Sequence, residues 1–142
     1  MIHRINRAAA VAERTALKKL LALALLAALS GHAAEWTALG GNDELTFYAD
    51  TATLTQAGAT STMWTLVGSK VERSQGAVKF SSVKTKFEFD CAGPRMRELE
   101  TSFHAGPLAD GAMVGSYKEP GRWEPVAEGS IKDGLAQIAC AK

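Results

Sequence analysis

From residue 83 to residue 103 the chain alternates in a way that leaves few folds open. Val83, Phe87 and Phe89 share one phase and Lys84, Lys86, Glu88 and Asp90 the other, which is the period of a half-buried strand. Cys91 continues the apolar phase, so its sulfur is expected to point into the core. Ala92, Gly93 and Pro94 break the pattern, and a return strand over 95–105 sets Leu99, Thr101 and Phe103 on one face. Two registers keep the core faces aligned. One sets Phe87 opposite Leu99; the other sets Lys84 and Lys86 opposite Glu100 and Glu98. The sequence leaves both open.

The first 33 residues read differently. Arg4, Arg7, Arg14, Lys18 and Lys19 precede an unbroken Leu/Ala run over 20–29, about half of the roughly 20 residues needed to span a bilayer. Gly31 and Ala33 then supply small residues at −3 and −1 of a signal-peptidase site. Cleavage after Ala34 would place His32 at −3 and is the weaker choice; a retained signal anchor is the alternative to cleavage. Residues 1–33 are therefore expected to be a signal peptide and 34–142 the domain. That domain keeps 11 basic and 14 acidic residues, a net charge of −3. Nucleic-acid binding rests on a basic stripe, so this balance argues against it. No membrane span is expected once the leader is gone.

An exported chain with two cysteines favours a disulfide over free thiols. Joining Cys91 to Cys140 would close a loop of about 50 residues and stabilise by roughly 4 kcal/mol in the chain-entropy account. Two free buried thiols are the alternative.

Further strands are expected at 36–39, 45–50 and 60–67, the third centred on Trp64, with 51–55 extending the second or forming an edge piece. Residues 68–76 read as a polar loop. Val78 and Phe80 are out of phase with Val83, so a bulge or turn is expected at Ser81–Ser82. Residues 106–115 read as a flexible connection, 113–117 as a last short strand and 121–125 as a turn. Ser130 is placed as an N-cap with Asp133 near the helix N-terminus. Ile131, Leu135 and Ile138 then form the stripe of a short amphipathic helix. In an ideal helix Cys140 lies opposite Ile131, so a bridge to the sheet requires the helix to unwind by about Ala139 or to present its cysteine from an edge.

Taken in order, these residues resemble the bacterial surface-adhesin protein E family. The markers are Tyr48–Ala49–Asp50, Trp64, Ser82, Glu88–Phe89–Asp90–Cys91, Arg97, Phe103, Gly106, Gly111, Trp123, Pro125–Val126, Gly129–Ser130 and Cys140. The resemblance covers 36–140. It implies an α+β fold, mainly antiparallel β-sheet, with a short C-terminal helix tied to the sheet by the Cys91–Cys140 disulfide. It also implies attachment to extracellular proteins. A lipid anchor needs a cysteine at the cleavage point, and neither Cys91 nor Cys140 lies there. A soluble periplasmic or secreted protein without a lipid anchor is therefore expected, its surface display in doubt.

Chemistry finds little support. His104 is the one histidine of residues 34–142; it falls in the solvent-facing phase beside Phe103, without a Gly-x-Ser-x-Gly elbow. No catalytic residue, cofactor or metal site is expected: Cys91 is oxidised in this reading, metal sites need several close ligands, and the glycine clusters match no phosphate loop. Trp36, Trp64 and Trp123 could form a stacking platform, though packing is the commoner use. Asp50 is expected to bond to backbone in its turn. Lys84, Lys86, Arg95 and Arg97 cluster on the hairpin among Glu88, Asp90, Glu98 and Glu100, either as a solvated face or as a platform for a protein partner. Arg97 is the ambiguous member, since it shares the core phase. A non-catalytic binding or adhesion domain is the leading function; a small periplasmic enzyme or enzyme inhibitor is the alternative.

Overall fold

The computed structural model describes residues 33–141, so the leader expected over 1–33 lies outside the described residues except for Ala33. Strands β1 (Thr37–Gly41), β2 (Leu45–Ala57), β3 (Thr60–Gln75), β4 (Val78–Asp90), β5 (Arg95–His104) and β6 (Met113–Tyr117) pair in chain order. Every pairing is antiparallel. A two-residue β7 (Glu124–Pro125) pairs with the start of β5, and one helix, α1 (Ile131–Ala139), follows. The architecture is mainly antiparallel sheet with a short C-terminal helix.

The second strand takes in residues 51–55, with an irregularity between Asp50 and Thr55. The segment 68–76 is no loop. β3 continues to Gln75, and Arg73, Ser74 and Gln75 pair with Phe80, Lys79 and Val78. Its polar side chains misled because this end projects beyond the core, where the backbone ladder to β4 needs no apolar face. The turn itself is made at Gly76, whose φ of 59° suits a residue without Cβ.

The phase slip expected near Ser81–Ser82 is present. Ser69 to Glu72 on β3 stand opposite Ser81 alone. Phe80 consequently stacks edge-on against Phe103 at 5.0 Å, on the same side as Val83, which pairs with Phe103.

The β4–β5 hairpin uses neither expected register throughout. Lys86 pairs with Glu100, but Phe87 pairs with Glu98, and Leu99 is left as the extra residue. A one-residue bulge exchanges the two faces. Met96 therefore joins Thr101 and Phe103 on the helix side, while Arg95 and Arg97 turn outward.

The main core cluster is small and lies on the helix side, while Leu66, 1% exposed, is buried on the other face. Ala49, Met63, Phe89 and Met96 from the sheet enclose Leu135 and Ala139 from α1. The helix starts as expected, with the Ser130 hydroxyl accepting from the Asp133 N–H at 3.1 Å. Its buried stripe lies further along than expected: Ile131 is 39% exposed, so Leu135 and Ala139 anchor the helix instead.

Cys140 is the C-cap, with φ −107° and ψ 7°, so the helix does end at Ala139. It bonds to Cys91 across a Cα–Cα distance of 5.5 Å. Cys91 itself is a correction. It belongs to the exposed turn after β4 rather than to the core, with its sulfur 3.6 Å from the Ser61 hydroxyl. The paired part of the strand stops at Asp90, and the bridge draws the sulfur toward the helix end.

Candidate functional site

The face of the sheet opposite α1 is built from cross-strand rows. Asp50, Trp64, Lys86 and Glu100 stand side by side, as do Tyr48, Leu66, Lys84 and Ser102. Glu88 and Asp90 lie opposite Arg97 and Arg95. All four basic residues expected to form a platform therefore share this outer face, and the Leu99 bulge resolves the ambiguity of Arg97.

Their surroundings differ. Arg97 Nε donates to Glu88 Oε2 at 2.6 Å and Arg95 Nε to Asp90 Oδ2 at 2.9 Å. Both guanidinium groups also lie over the Trp123 ring, with Cζ at 4.6 and 5.0 Å from its centroid. The Arg95 bond, helped by the Ala92 N–H, holds the Asp90 carboxyl below the usual carboxylate range. Lys84 Nζ lies 4.4 Å from the Trp64 centroid, a cation–π contact. Neither Lys84 nor Lys86 has a carboxylate partner among the described residues. Glu100, next to Lys86 in its row, pairs with Lys118 at 3.5 Å.

The three tryptophans occupy separate positions rather than one platform. Trp64 is central and capped by Lys84, Trp123 is stacked under the two arginines, and Trp36 precedes the edge strand β1. Asp50 also departs from expectation. The Thr53 hydroxyl donates to its backbone carbonyl at 2.6 Å, whereas its side chain is 97% buried and Oδ1 has no partner among the described residues.

His104 faces outward, as its phase requires, yet it is half-buried. Its Nε2 lies 2.9 Å from the buried Ser102 hydroxyl, and Nδ1 is buried without a partner among the described residues. Burial, with help from Lys84, lowers its pKa, while Asp110 opposes the shift. Among the described residues no carboxylate accepts from the free ring nitrogen, as one does in orienting a catalytic imidazole. The Ser102 hydroxyl belongs to a buried residue.

Sequence reasoning missed this pair, because alternation sets residues 102 and 104 on one face without showing that their side chains turn toward each other. Among the described residues no cluster of three or more His, Cys, Asp or Glu could hold a metal ion. No helix there is long and apolar enough to cross a membrane.

A single antiparallel sheet, a C-terminal helix fastened to it by one disulfide and a mixed-charge outer face define the class. The chain belongs to the surface-adhesin protein E family, whose model matches residues 36–141. Among solved structures it is similar to protein E of Haemophilus influenzae, with a TM-score of 0.59 at 14% identity over 79% of this chain and 88% of that one. The selenomethionine form of that protein gives 0.55 at 15% identity, covering 67% of this chain and 78% of the other. Protein E from the non-typeable form gives 0.53 at 13% identity, covering 78% and 80%. At these identities the likeness shows the fold. No curated protein sequence matches the chain.

Proposed function

We propose that residues 34–142 form an exported, non-catalytic binding domain of adhesin type that engages a protein partner through the outer face of the β4–β5 hairpin. The observation that carries this reading is the gathering of Lys84, Lys86, Arg95 and Arg97 on one face of a sheet whose other face holds the core. Arg95 and Arg97 are fixed in place by Asp90, Glu88 and Trp123. Lys84 and Lys86 supply the free charge. Such a pair steers an acidic partner, an effect that salt weakens. The basic, apolar and small-residue order of 1–33 supports export to the periplasm or beyond, which N-terminal sequencing of exported protein checks.

The test is capture of partners on the exported, oxidised protein, followed by Lys84→Glu with Lys86→Glu. Affinity at low salt should fall, and the difference from the parent should shrink as salt is added. Unchanged affinity at low salt would remove this face from consideration. The second reading, a small periplasmic enzyme or enzyme inhibitor, draws on the Ser102–His104 pair. It is the weaker one, since the second ring nitrogen meets no carboxylate among the described residues.

A further inference from the structure

Arg95 and Arg97 stand two residues apart on β5 and turn to the same face, so their side chains leave the sheet about 6–7 Å from each other. Each is held twice. Asp90 and Glu88, directly across the hairpin, accept from the two Nε atoms at 2.9 and 2.6 Å. Both guanidinium groups also share the Trp123 ring. A guanidinium carries five N–H donors in a planar fork. Neither Nη1 nor Nη2 of either arginine makes a hydrogen bond among the described residues. The two carboxylates therefore take the Nε atoms and leave the ends of both forks without an acceptor.

The charges around the forks do not cancel them. The Arg95–Asp90 and Arg97–Glu88 pairs are each neutral. Glu100 stands beside Lys86 in the ladder and bonds to Lys118 at 3.5 Å, so one carboxylate serves two lysines. Glu119, which follows Lys118, is exposed, as is Arg122 beside Trp123, and Arg122 has no carboxylate partner among the described residues. Lys84 is drawn over Trp64. Glu98 and Glu124 pair with Phe87 and Met96 and lie on the helix side. The balance at the forks is thus slightly positive.

We infer that Arg95 and Arg97 are the specificity-determining pair of this face, each fork taking one carboxylate from an extended segment of the partner in which acidic residues alternate with others. The inference rests on the reading of this face as the binding surface and adds to it what the surface reads. Alternate side chains of an extended segment repeat at the same 6–7 Å or so as the two arginines. A guanidinium pairs end-on with a carboxylate through two parallel N–H bonds, which an ammonium does not do. Both forks are already immobilised by a carboxylate and a ring, so little side-chain freedom is lost on binding. Lys84 and Lys86 attract acidic groups without reading their spacing. A phosphate brings up to about two negative charges and would face Glu88 or Asp90 across the same guanidinium, so single carboxylates fit the balance better.

The test titrates the isotopically labelled, exported and disulfide-bonded protein with two capped pentapeptides, each of three glycines and two glutamates. One separates the glutamates by a glycine; the other sets them side by side. The Arg95 and Arg97 Nε–H and Trp123 indole N–H resonances should shift, with the alternating peptide binding at least about threefold more tightly, the difference that one exposed ion pair makes. Arg95→Lys keeps the charge and removes one fork. The Arg95 side chain is 52% exposed, so this variant should melt within about 4 °C of the parent, and its preference for the alternating peptide should vanish. Equal binding of the two peptides by the parent overturns the inference, as does an Arg95→Lys protein that still discriminates. An alternating peptide with phosphoserine in place of both glutamates that binds more tightly than the glutamate one also overturns it. If the parent binds both glutamate peptides alike and Lys84→Glu with Lys86→Glu loses both, the forks fail and the binding face stands. If neither peptide binds the parent, both readings fail.

Discussion

His104 holds its ring between a hydroxyl that it can use and a burial that it resists. Its Nε2 meets Ser102, its Nδ1 meets nothing among the described residues, and Lys84 lies near enough to oppose a second positive charge. Asp110 works in the opposite direction without cancelling the effect. The folded pKa is therefore below the unfolded one. Above about pH 6.5 both states are neutral and the stability is fully present. As pH falls through that value the unfolded chain takes the proton first, and stability is lost until pH passes the folded pKa. Thermal melts should show a slope in the mildly acidic range that His104→Gln flattens; an unchanged slope in that variant would show the ring not to be buried in solution. Asp90 acts in a lower window. Its depressed pKa, caused first by Arg95, contributes stability above the unfolded carboxylate range that is lost as pH falls below it.

At the level of elements, α1 shows what one covalent bond does for a short helix. Leu135 and Ala139 are its buried residues, and Cys140 fixes its end to the turn after β4. Replacing both cysteines by serine should cost about 2–4 kcal/mol, measured as a lower denaturation midpoint. A double variant as stable as the parent would mean that packing alone holds the helix. Much of this element was legible: the cysteine count suggested the bridge, Ser130 marked the start, and the angular position of Cys140 left either an end near Ala139 or an edge-on cysteine, of which the structure has the first. Alternation likewise located β2, β4 and β5. The Leu99 bulge was not legible, because Leu99 shares the phase of Thr101 and Phe103 and only pairing with β4 decides which residue is extra. The same gap hid the direction of Arg97 and the inward position of Met96. β3 beyond Val67 was obscured for a different reason, since a strand satisfied by its neighbours needs no apolar pattern. The closing of residues 106–109 over Ser82, whose hydroxyl donates to the Gly106 carbonyl and accepts from the Ala109 N–H, was not legible because glycine and proline mark a turn without saying what it folds across.

For the whole molecule, the sheet separates the helix-side core from the outer face on which partner binding is proposed. On the helix side Phe89 is fully buried, pairs with Met96 and lies 6.2 Å from the Phe87 ring. Phe89→Ala should cost about 3–5 kcal/mol, a large part of the roughly 5–15 kcal/mol typical of a domain this size. At about 4–8 °C per kcal/mol for small domains, its melting temperature should drop by about 12 °C or more. On the outer side, Lys84→Glu with Lys86→Glu loses the contact to Trp64, worth about 0.5–1 kcal/mol when exposed. Little else should change, because surface substitutions away from core, caps and networks usually stay within about 0.5 kcal/mol. The double reversal should therefore melt within a few degrees of the parent while changing how the domain meets an acidic partner. Side-by-side calorimetry of the two variants decides the matter. If the lysine reversal melts as low as Phe89→Ala, the outer face is holding the fold together, and its lysines are structural rather than free for a partner.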